Sequence, residues 1–215
     1  PSTHLLAVSK GQPAAVLRQA ATLGQRSFGE SRLQEAIAKQ HELADLEPLD
    51  WHFIGRLQAN KARGVLRHFG TLHSLDSVEL ARRLQRIAVE ENLAPRVFLQ
   101  VKLRPDPSKT GFDPPELRAA WPQLEAMAPL RVIGLMTIAP QGLPAAARRD
   151  LVAECAALAR ELALPELSMG MSGDWSEAVA AGSTWVRLGT ALFGVRPGNQ
   201  EQRSREGTDP TTTPL

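Results

Sequence analysis

The sequence predicts an α/β fold, a closed (β/α)8 barrel built as a single domain. Two observations carry this prediction: eight short apolar runs follow one another along the chain, and amphipathic stretches of helical length lie between them. Strands and helices that alternate in this way form parallel βαβ units, and eight such units are most economically a barrel. An open doubly wound sheet is the alternative, but it normally has fewer strands and a Gly-rich first turn. The sequence contains neither G-x-G-x-x-G nor G-x-x-x-x-G-K-[ST].

The predicted elements follow from the spacing of apolar residues. The strand candidates, in chain order, are 5–9, 26–29, 51–54, 71–75, 97–103, 132–136, 167–171 and 184–188. The helix candidates are 14–23, 31–46, 78–91, 115–127, 145–162 and 175–181. No linker divides the chain, so we predict one barrel domain over residues 1–196. From Pro197 onward the sequence turns polar, and residues 197–215 are predicted to form a disordered tail because they cannot bury enough apolar surface.

Composition excludes several classes of protein. The hydrophobic fraction of 43% is ordinary for a globular chain, and no apolar run approaches the roughly 18 residues that a bilayer span needs. The net charge is +2 with basic and acidic residues mixed, which does not favour a nucleic-acid partner. The single Cys155 excludes an intramolecular disulfide, and no basic-plus-apolar leader opens the sequence. We therefore expect a cytoplasmic protein.

Lys10 ends the first apolar run, and Gly11-Gln12-Pro13 then begins a turn into a helix. A cation at the end of a buried strand is costly unless something there uses it. A lysine in this place can form a Schiff base with an aldehyde such as pyridoxal 5′-phosphate (PLP). The alternative is a lysine whose amine simply extends into solvent.

The loops after strands seven and eight are where barrel enzymes often hold phosphate. Ser172 lies between the seventh strand and the helix at 175–181, where free backbone N–H groups attract anions. A plain helix cap is the alternative. In strand eight, Arg187 lies on the opposite face from Val186 and Leu188. Gly189 allows close backbone approach, and Thr190 adds a hydroxyl at another helix start.

Arg187 has a second interpretation. A barrel-interior ion pair with a carboxylate from a neighbouring strand also explains a buried arginine, because buried charges need partners whatever their function.

These residues fall within longer motifs that carry a family resemblance. The chain resembles the PLP homeostasis proteins, a PLP-binding family related to the barrel domain of alanine racemase, and this implies a fold-type-III-like PLP barrel. The motifs span nearly all of residues 5–196 in the expected order. They are A-V-S-K (7–10), F-G-E-S (28–31), W-H-F-I-G-R-L-Q-A-N-K (51–61), H-S-L-D (73–76), S-K-T-G (108–111), G-L-M-T (134–137), L-S-M-G-M-S (167–172) and G-S-T-W-V-R-L-G-T (182–190).

The resemblance implies a role for five residues. Lys10 would form the Schiff base with PLP, and Ser172, Gly189 and Thr190 would hold its phosphate. Arg187 would face the pyridine nitrogen and disfavour its protonation, which makes the ring a weaker electron sink. His52, Asn60 and Lys109 lie in the motifs without an assigned role.

The chain departs from the family pattern at three places. The family usually has a helix before the first strand, which has no counterpart here, and one end of the barrel is expected to be less covered. Ser31 stands where the family commonly has asparagine, which is expected to loosen a contact near the cofactor. Lys102 also replaces an asparagine and puts the local loop geometry in question.

Three functions compete. The first is a carrier or buffer of PLP without substrate turnover, a monomer that supplies PLP-dependent apo-enzymes. The second is an amino-acid racemase, which needs a base on each face of the substrate carbanion. Alanine racemase takes one base from a tyrosine of a second domain, whereas this chain contains no tyrosine. The third, a phosphate-ligand barrel without PLP, leaves Lys10 unexplained. We therefore favour the carrier.

Overall fold

The computed structural model describes residues 2–106 and 109–194. Within these ranges the chain forms a closed parallel barrel in the strand order β1 to β8, as predicted. The strands are β1 His4–Val8, β2 Ser27–Glu30, β3 Asp50–Phe53, β4 Thr71–Leu75, β5 Arg96–Gln100, β6 Arg131–Met136, β7 Glu166–Ser168 and β8 Trp185–Leu188. The predicted tail and the end of the predicted barrel domain lie outside the described residues.

Helices cover the outside of the barrel. They are α1 Ala14–Thr22, α2 Leu33–Glu42, α3 Ala62–His68, α4 Val78–Glu90, α5 Pro114–Glu125, α6 Ala145–Glu161, α7 Trp175–Ala180 and α8 Thr190–Phe193, and a 3-10 turn at Ala59–Lys61 precedes α3. Local chemistry explains several starts. The Ser77 hydroxyl accepts a hydrogen bond from the Leu80 N–H at the start of α4, and proline occupies the first turn of α5.

Two predicted strands are each two residues shorter in the structure, and the eighth is one residue shorter. The seventh was predicted over 167–171 but ends at Ser168, because Gly170 takes a φ of +90° that an extended strand does not allow. A Cβ at Gly170 would also lie 2.7 Å from the Ala178 Cβ, so glycine is required where α7 packs on the loop. The fifth was predicted over 97–103 but ends at Gln100, after which Val101 makes only an isolated bridge to Phe112.

The helices differ from the sequence prediction in two places. Helix α2 was predicted over 31–46 but begins at Leu33, because Arg32 is still extended, and it ends at Glu42. Helix α3 was not predicted, because Gly64 interrupts its apolar pattern. That glycine has a packing reason: a Cβ there would lie 2.6 Å from a methyl carbon of Leu33 on α2.

The described residues form three apolar clusters, one of which is Ala7, Ala14, Leu17, Phe28 and Leu43, around β1, β2 and α1. The largest cluster lies between the sheet and the helices and includes Leu84, Leu117 and Cys155. A smaller cluster of Leu6, Phe98, Met136 and Trp185 fills the inside of the barrel. Because strand side chains alternate between the two faces, the remaining inward positions are open to polar residues. Those polar residues build the candidate site.

Candidate functional site

The first and last strands meet where the barrel closes. Strand β1 pairs with β8 in parallel, with Leu6 opposite Arg187 and Ala7 opposite Leu188. Above this pair, a Cβ on Gly189 would lie 3.5 Å from the Val8 Cβ, so the chain after β8 lies against the end of β1. Closure therefore brings Lys10, two residues beyond Val8, to the same corner of the barrel mouth as Gly189.

Lys10 lies in a turn that is fixed from below. It is half-buried, whereas the preceding Ser9 is fully buried and donates its backbone N–H to the Gly29 carbonyl at 3.0 Å. The Gln12 N–H donates back to the Ser9 carbonyl at 3.0 Å and closes the turn. The Lys39 ammonium donates to the same carbonyl at 2.8 Å, so helix α2 holds the peptide that carries Lys10.

Lys39 is the centre of a buried ionic network under this turn. Its ammonium also donates to Glu30 and Glu35, each at 2.7 Å, and the Ser9 hydroxyl donates to Glu30 at 2.7 Å. Burial raises the pKa of Glu30 and outweighs these hydrogen bonds, and its Oε2 has no partner among the described residues. At Glu35 burial acts in the same direction, but Lys39 and the Gly11 N–H outweigh it and lower the pKa.

Ser172 and Thr190, two of the three predicted phosphate-binding residues, are adjacent in the structure. The Ser172 and Thr190 hydroxyl oxygens lie 3.2 Å apart, and the Ala191 N–H donates to Ser172 Oγ at 3.2 Å. The loop of Ser172 is shaped by Asp174, whose carboxylate accepts the Met171 N–H at 2.6 Å. Hydroxyl groups from two loops thus converge beside the helix start at Thr190, where backbone N–H groups lack intrahelical partners.

Arg187 points into the barrel, as its position in β8 predicts. Its guanidinium is buried and donates to the Ser168 carbonyl at 2.6 Å, to Ser168 Oγ at 2.7 Å and to the Thr137 carbonyl at 2.9 Å. These three bonds use at most three of its five N–H groups. Burial lowers the pKa of Arg187 to about 10, which leaves it a cation at neutral pH.

The alternative interpretation of Arg187 does not hold. Within residues 2–106 and 109–194, no carboxylate lies within ion-pair distance of the guanidinium, whose acceptors are two carbonyls and a hydroxyl. The cation is therefore bound by strand-end oxygens at the carboxyl ends of β6 and β7.

The motif residues without an assigned role differ in their exposure. His52 is not at the barrel mouth but fully buried inside the barrel, where its two ring nitrogens contact His73 and Asp50. Asn60 and Lys109 are exposed, and Ser108 lies outside the described residues. Cys155 is buried on α6, and burial raises the pKa of its thiol to about 12, as expected of a core cysteine.

The structure shows the surroundings of Lys102 and Ser31, two of the three departures from the family pattern. The Lys102 ammonium lies 3.6 Å from the Asp113 carboxylate, and its backbone N–H donates to the Phe112 carbonyl at 2.9 Å. The Ser31 carbonyl lies so close to Gly55 that a Cβ there would be 2.4 Å away. The backbone of Ser31 is thus fixed by its neighbour.

A cavity of about 850 Å³ opens beside this corner at the ends of β2 and β3. Its lining includes Glu35, Phe53, Arg56 and Lys61 but none of the five predicted site residues. It shares Glu35 with the network under the Lys10 turn. The strand-end lysine and the paired hydroxyls lie instead at the ends of β1, β7 and β8.

Sequence reasoning missed the residues that support the site. Glu30, Glu35 and Lys39 were not selected, although Glu35 and Lys39 have the spacing of an ion pair on one helix face. Ser168 lies in the L-S-M-G-M-S motif, but the motif does not predict its contact with Arg187. The contact of Asp50 with His52 could have been predicted, because residues two apart in a strand lie on the same face.

The fold and this corner define a class of protein, the alanine racemase-like barrels. A sequence model described as the alanine racemase N-terminal domain matches residues 1–197. Solved alanine racemases share the fold at low identity; that from Bartonella henselae has a TM-score of 0.70 at 19% identity, over 97% of this chain and 56% of its own.

Closer relatives narrow the class. The pyridoxal phosphate homeostasis protein of Synechocystis sp. is 48% identical over 202 residues, which cover 91% of this chain and 93% of that protein. The Pseudomonas aeruginosa protein of the same name is 47% identical over 197 residues, 89% of this chain and 84% of that one. The structure of PipY from Synechococcus elongatus with PLP bound has a TM-score of 0.87 at 54% identity, covering 90% and 93% of the two chains. The chain belongs to the pyridoxal phosphate homeostasis protein family.

The ionic network under Lys10 gives a first prediction. Lys39→Met leaves the Glu30 carboxylate buried without its cation, so the free energy of unfolding should fall by about 3–5 kcal/mol in urea denaturation. Adding Glu30→Gln should recover most of the loss, because the uncompensated charge is gone. Arg18→Met, which breaks the exposed pair with Asp45, is the control and should change stability little. A loss in Lys39→Met no larger than this control would contradict the account.

Proposed function

We propose that this protein binds PLP covalently through Lys10 and carries or buffers it in vitamin B6 homeostasis, without turning over a substrate of its own. The observation that carries the proposal is the convergence at one corner of a strand-end lysine, two adjacent hydroxyls and a buried arginine with N–H groups to spare. The PLP-bound structure of PipY and the printed names of the relatives support the choice of ligand.

The residues at this corner fit the chemical groups of PLP. The cofactor supplies an aldehyde, which condenses with an amine to an imine and releases one water. Lys10 is the amine at the mouth of the barrel, and the turn under it is fixed by Lys39. We propose that this support reduces the conformational freedom that Lys10 loses when PLP binds.

The hydroxyl pair is suited to a phosphate group. Ser172 and Thr190 donate O–H groups, and backbone N–H groups at the start of α8 lie beside them. Hydrogen bonds to an ionised acceptor are about twice as strong as neutral ones. We assign this corner to the phosphate of PLP, with Gly189 leaving space for its close approach.

Arg187 determines what kind of chemistry the site favours. Its spare N–H groups suit the ring nitrogen as an acceptor. Because the guanidinium stays cationic at neutral pH, it opposes protonation of that nitrogen. A neutral pyridine withdraws electrons less strongly than a pyridinium, and this arrangement therefore does not favour abstraction of an α-proton from an amino acid.

Among residues 2–106 and 109–194, the side chains considered as a second base for racemisation do not suit that role. The chain has no tyrosine, and the Cys155 thiol is buried with a pKa of about 12. His52, the other candidate, contacts Asp50 and His73 inside the barrel. The likeness to alanine racemases concerns the fold alone, so the carrier function is favoured over a racemase.

Delivery to PLP-dependent apo-enzymes, a monomeric state and a cytoplasmic location complete the proposal. Among the described residues, no helix is long and apolar enough to cross a membrane.

Titration of the protein with PLP should produce a visible absorption band that requires Lys10. Lys10→Ala should abolish the band, because the amine that forms the covalent linkage is missing. Lys109→Ala is the matched control, an exposed lysine in a loop at the same face of the barrel, and should behave as the unmodified protein. An undiminished band in Lys10→Ala would contradict the proposal.

Replacing Ser172 or Thr190 by alanine should weaken PLP binding by roughly 1.5–3 kcal/mol each, because each change removes a hydrogen bond to a charged group. Pyridoxal, which lacks the phosphate, should bind poorly and respond to neither change. Ser176→Ala on the exposed side of α7 serves as the control in fluorescence or absorbance titrations. Equal losses for PLP and pyridoxal would locate the phosphate elsewhere.

Incubation with L-alanine in D₂O should give little exchange of the α-proton above a free-PLP control, because the site lacks a second base and Arg187 opposes ring protonation. Proton NMR and chiral chromatography measure the exchange and the stereochemistry. Rapid exchange with inversion that disappears in Lys10→Ala would show a racemase. Slow exchange with retention would identify Lys10 as a base on one face only and remains compatible with a carrier.

A further inference from the structure

A line of hydrogen-bonding groups connects Arg187 to the opposite end of the barrel. Arg187 donates to Ser168 Oγ at 2.7 Å, and Ser168 Oγ lies 2.8 Å from His73 Nδ1. His73 Nε2 lies 2.8 Å from His52 Nδ1, and His52 Nε2 lies 2.7 Å from a carboxylate oxygen of Asp50. Four contacts of ordinary hydrogen-bond length thus join a cation at one end to an anion at the other.

This line runs through the inside of the barrel. Arg187 and Ser168 lie near the carboxyl ends of β8 and β7, whereas Asp50 is the first residue of β3. Ser168, His52 and His73 are fully buried, and the Asp50 side chain is 40% exposed at the amino end. A continuous line of side-chain contacts therefore runs from Arg187 at the barrel mouth to the partly exposed Asp50 at the opposite end.

Both histidine rings lie among aromatic side chains, where an unpaired ring nitrogen is costly. His73 stacks on Phe98 with ring centroids 4.4 Å apart, and His52 packs against Trp185 at 4.8 Å. In this apolar interior a polar atom without a partner is costly, so each nitrogen of the two rings is expected to have a defined donor or acceptor role.

The ends of the line determine those roles. An ionised carboxylate only accepts, so His52 Nε2 carries the hydrogen, and in a neutral ring His52 Nδ1 is then an acceptor. His73 must then donate from Nε2 and accept at Nδ1, where the Ser168 hydroxyl donates. The lone pairs of Ser168 Oγ are left to accept from Arg187, which only donates. With both rings neutral, every donor along this line of hydrogen bonds has one acceptor.

The charge states agree with this assignment. Burial opposes ionisation of Asp50, but the hydrogen bond from His52 and the positive charge of Arg96 act against it, and the pKa of Asp50 is lowered. Burial, together with the charges of Arg187 and Arg96, lowers the pKa of His73 well below its ordinary value. Asp50 is thus an anion and His73 is neutral at neutral pH.

We propose that Asp50 is a positioning residue that acts on Arg187 through His52, His73 and Ser168. Its carboxylate fixes both imidazoles in the Nε2–H form and so presents Ser168 Oγ as an acceptor that holds the guanidinium in place. The effect on ligand binding rests on the function proposed above, in which Arg187 faces the ring nitrogen of PLP. The hydrogen-bond order itself does not depend on that function.

The first test reads the tautomers directly. Long-range ¹H–¹⁵N correlation NMR of the full chain with ¹⁵N-labelled histidine distinguishes protonated from unprotonated ring nitrogens. The signals of His52 and His73 are assigned through their contacts with the Trp185 and Phe98 rings. We expect Nε2–H and a bare Nδ1 in both rings at neutral pH. A proton on Nδ1 of either ring would overturn the proposal.

The second test measures whether the loss of the Asp50 carboxylate weakens ligand binding at Arg187. Asp50→Ala should weaken PLP binding about threefold to tenfold, the effect of one impaired hydrogen bond. The 1-deaza analogue, in which C–H replaces the ring nitrogen, should lose less than twofold because it has no nitrogen for Arg187 to contact. Asp45→Ala, which removes a 65% exposed carboxylate on the outside of the barrel, is the matched control and should affect neither ligand.

The outcomes separate the two proposals. Equal losses for PLP and its deaza analogue in Asp50→Ala would show a merely structural role and overturn the inference. Failure of the unmodified protein to bind either compound would contradict the proposed function, and the NMR measurement would still decide the hydrogen-bond order. If Asp50→Ala does not fold, the tautomers of the unmodified protein decide it in the same way.

Discussion

Closure of the barrel by the pairing of β1 with β8 is the constraint on which the candidate site depends. Lys10 follows the first strand, whereas Gly189 and Thr190 follow the last, and 178 positions of sequence (11–188) separate Lys10 from Gly189. The parallel register from His4 opposite Trp185 to Ala7 opposite Leu188 brings them to one corner. In an open sheet with this same strand order, the two strands would be opposite edges without a shared ladder.

The interior of this barrel combines apolar packing with a polar line. Leu6, Phe98, Met136 and Trp185 fill one part of it. Ser168, His73 and His52 occupy the inward positions of three other strands and connect Arg187 to Asp50. A buried guanidinium is tolerated because strand-end carbonyls and Ser168 bind it. A second polar group, the Lys39 network, lies under the Lys10 turn and fixes the other side of the same mouth.

The sequence was sufficient for features that depend on local pattern. Eight apolar runs predicted eight strands, and the alternation along β8 predicted that Arg187 points inward. Helix α3 was missed because Gly64 hides its periodicity, and that glycine is explained only by the contact with Leu33 on α2. The partners of Arg187 could not be predicted either. Thr137 and Ser168 follow or belong to two other strands, and every residue has the backbone carbonyl through which they bind. Family motifs supplied the roles of Lys10, Ser172 and Thr190, and those roles remain predictions.

The location of the covalent linkage tests the central claim most directly. The chain has five lysines, and trypsin does not cleave after a modified one. Reduction of the PLP-loaded protein with borohydride, followed by tryptic digestion and mass spectrometry, should give one adduct per chain in the peptide that ends at Arg18, with cleavage after Lys10 blocked. An adduct on another lysine, with Lys10→Ala still fully loaded, would contradict the account.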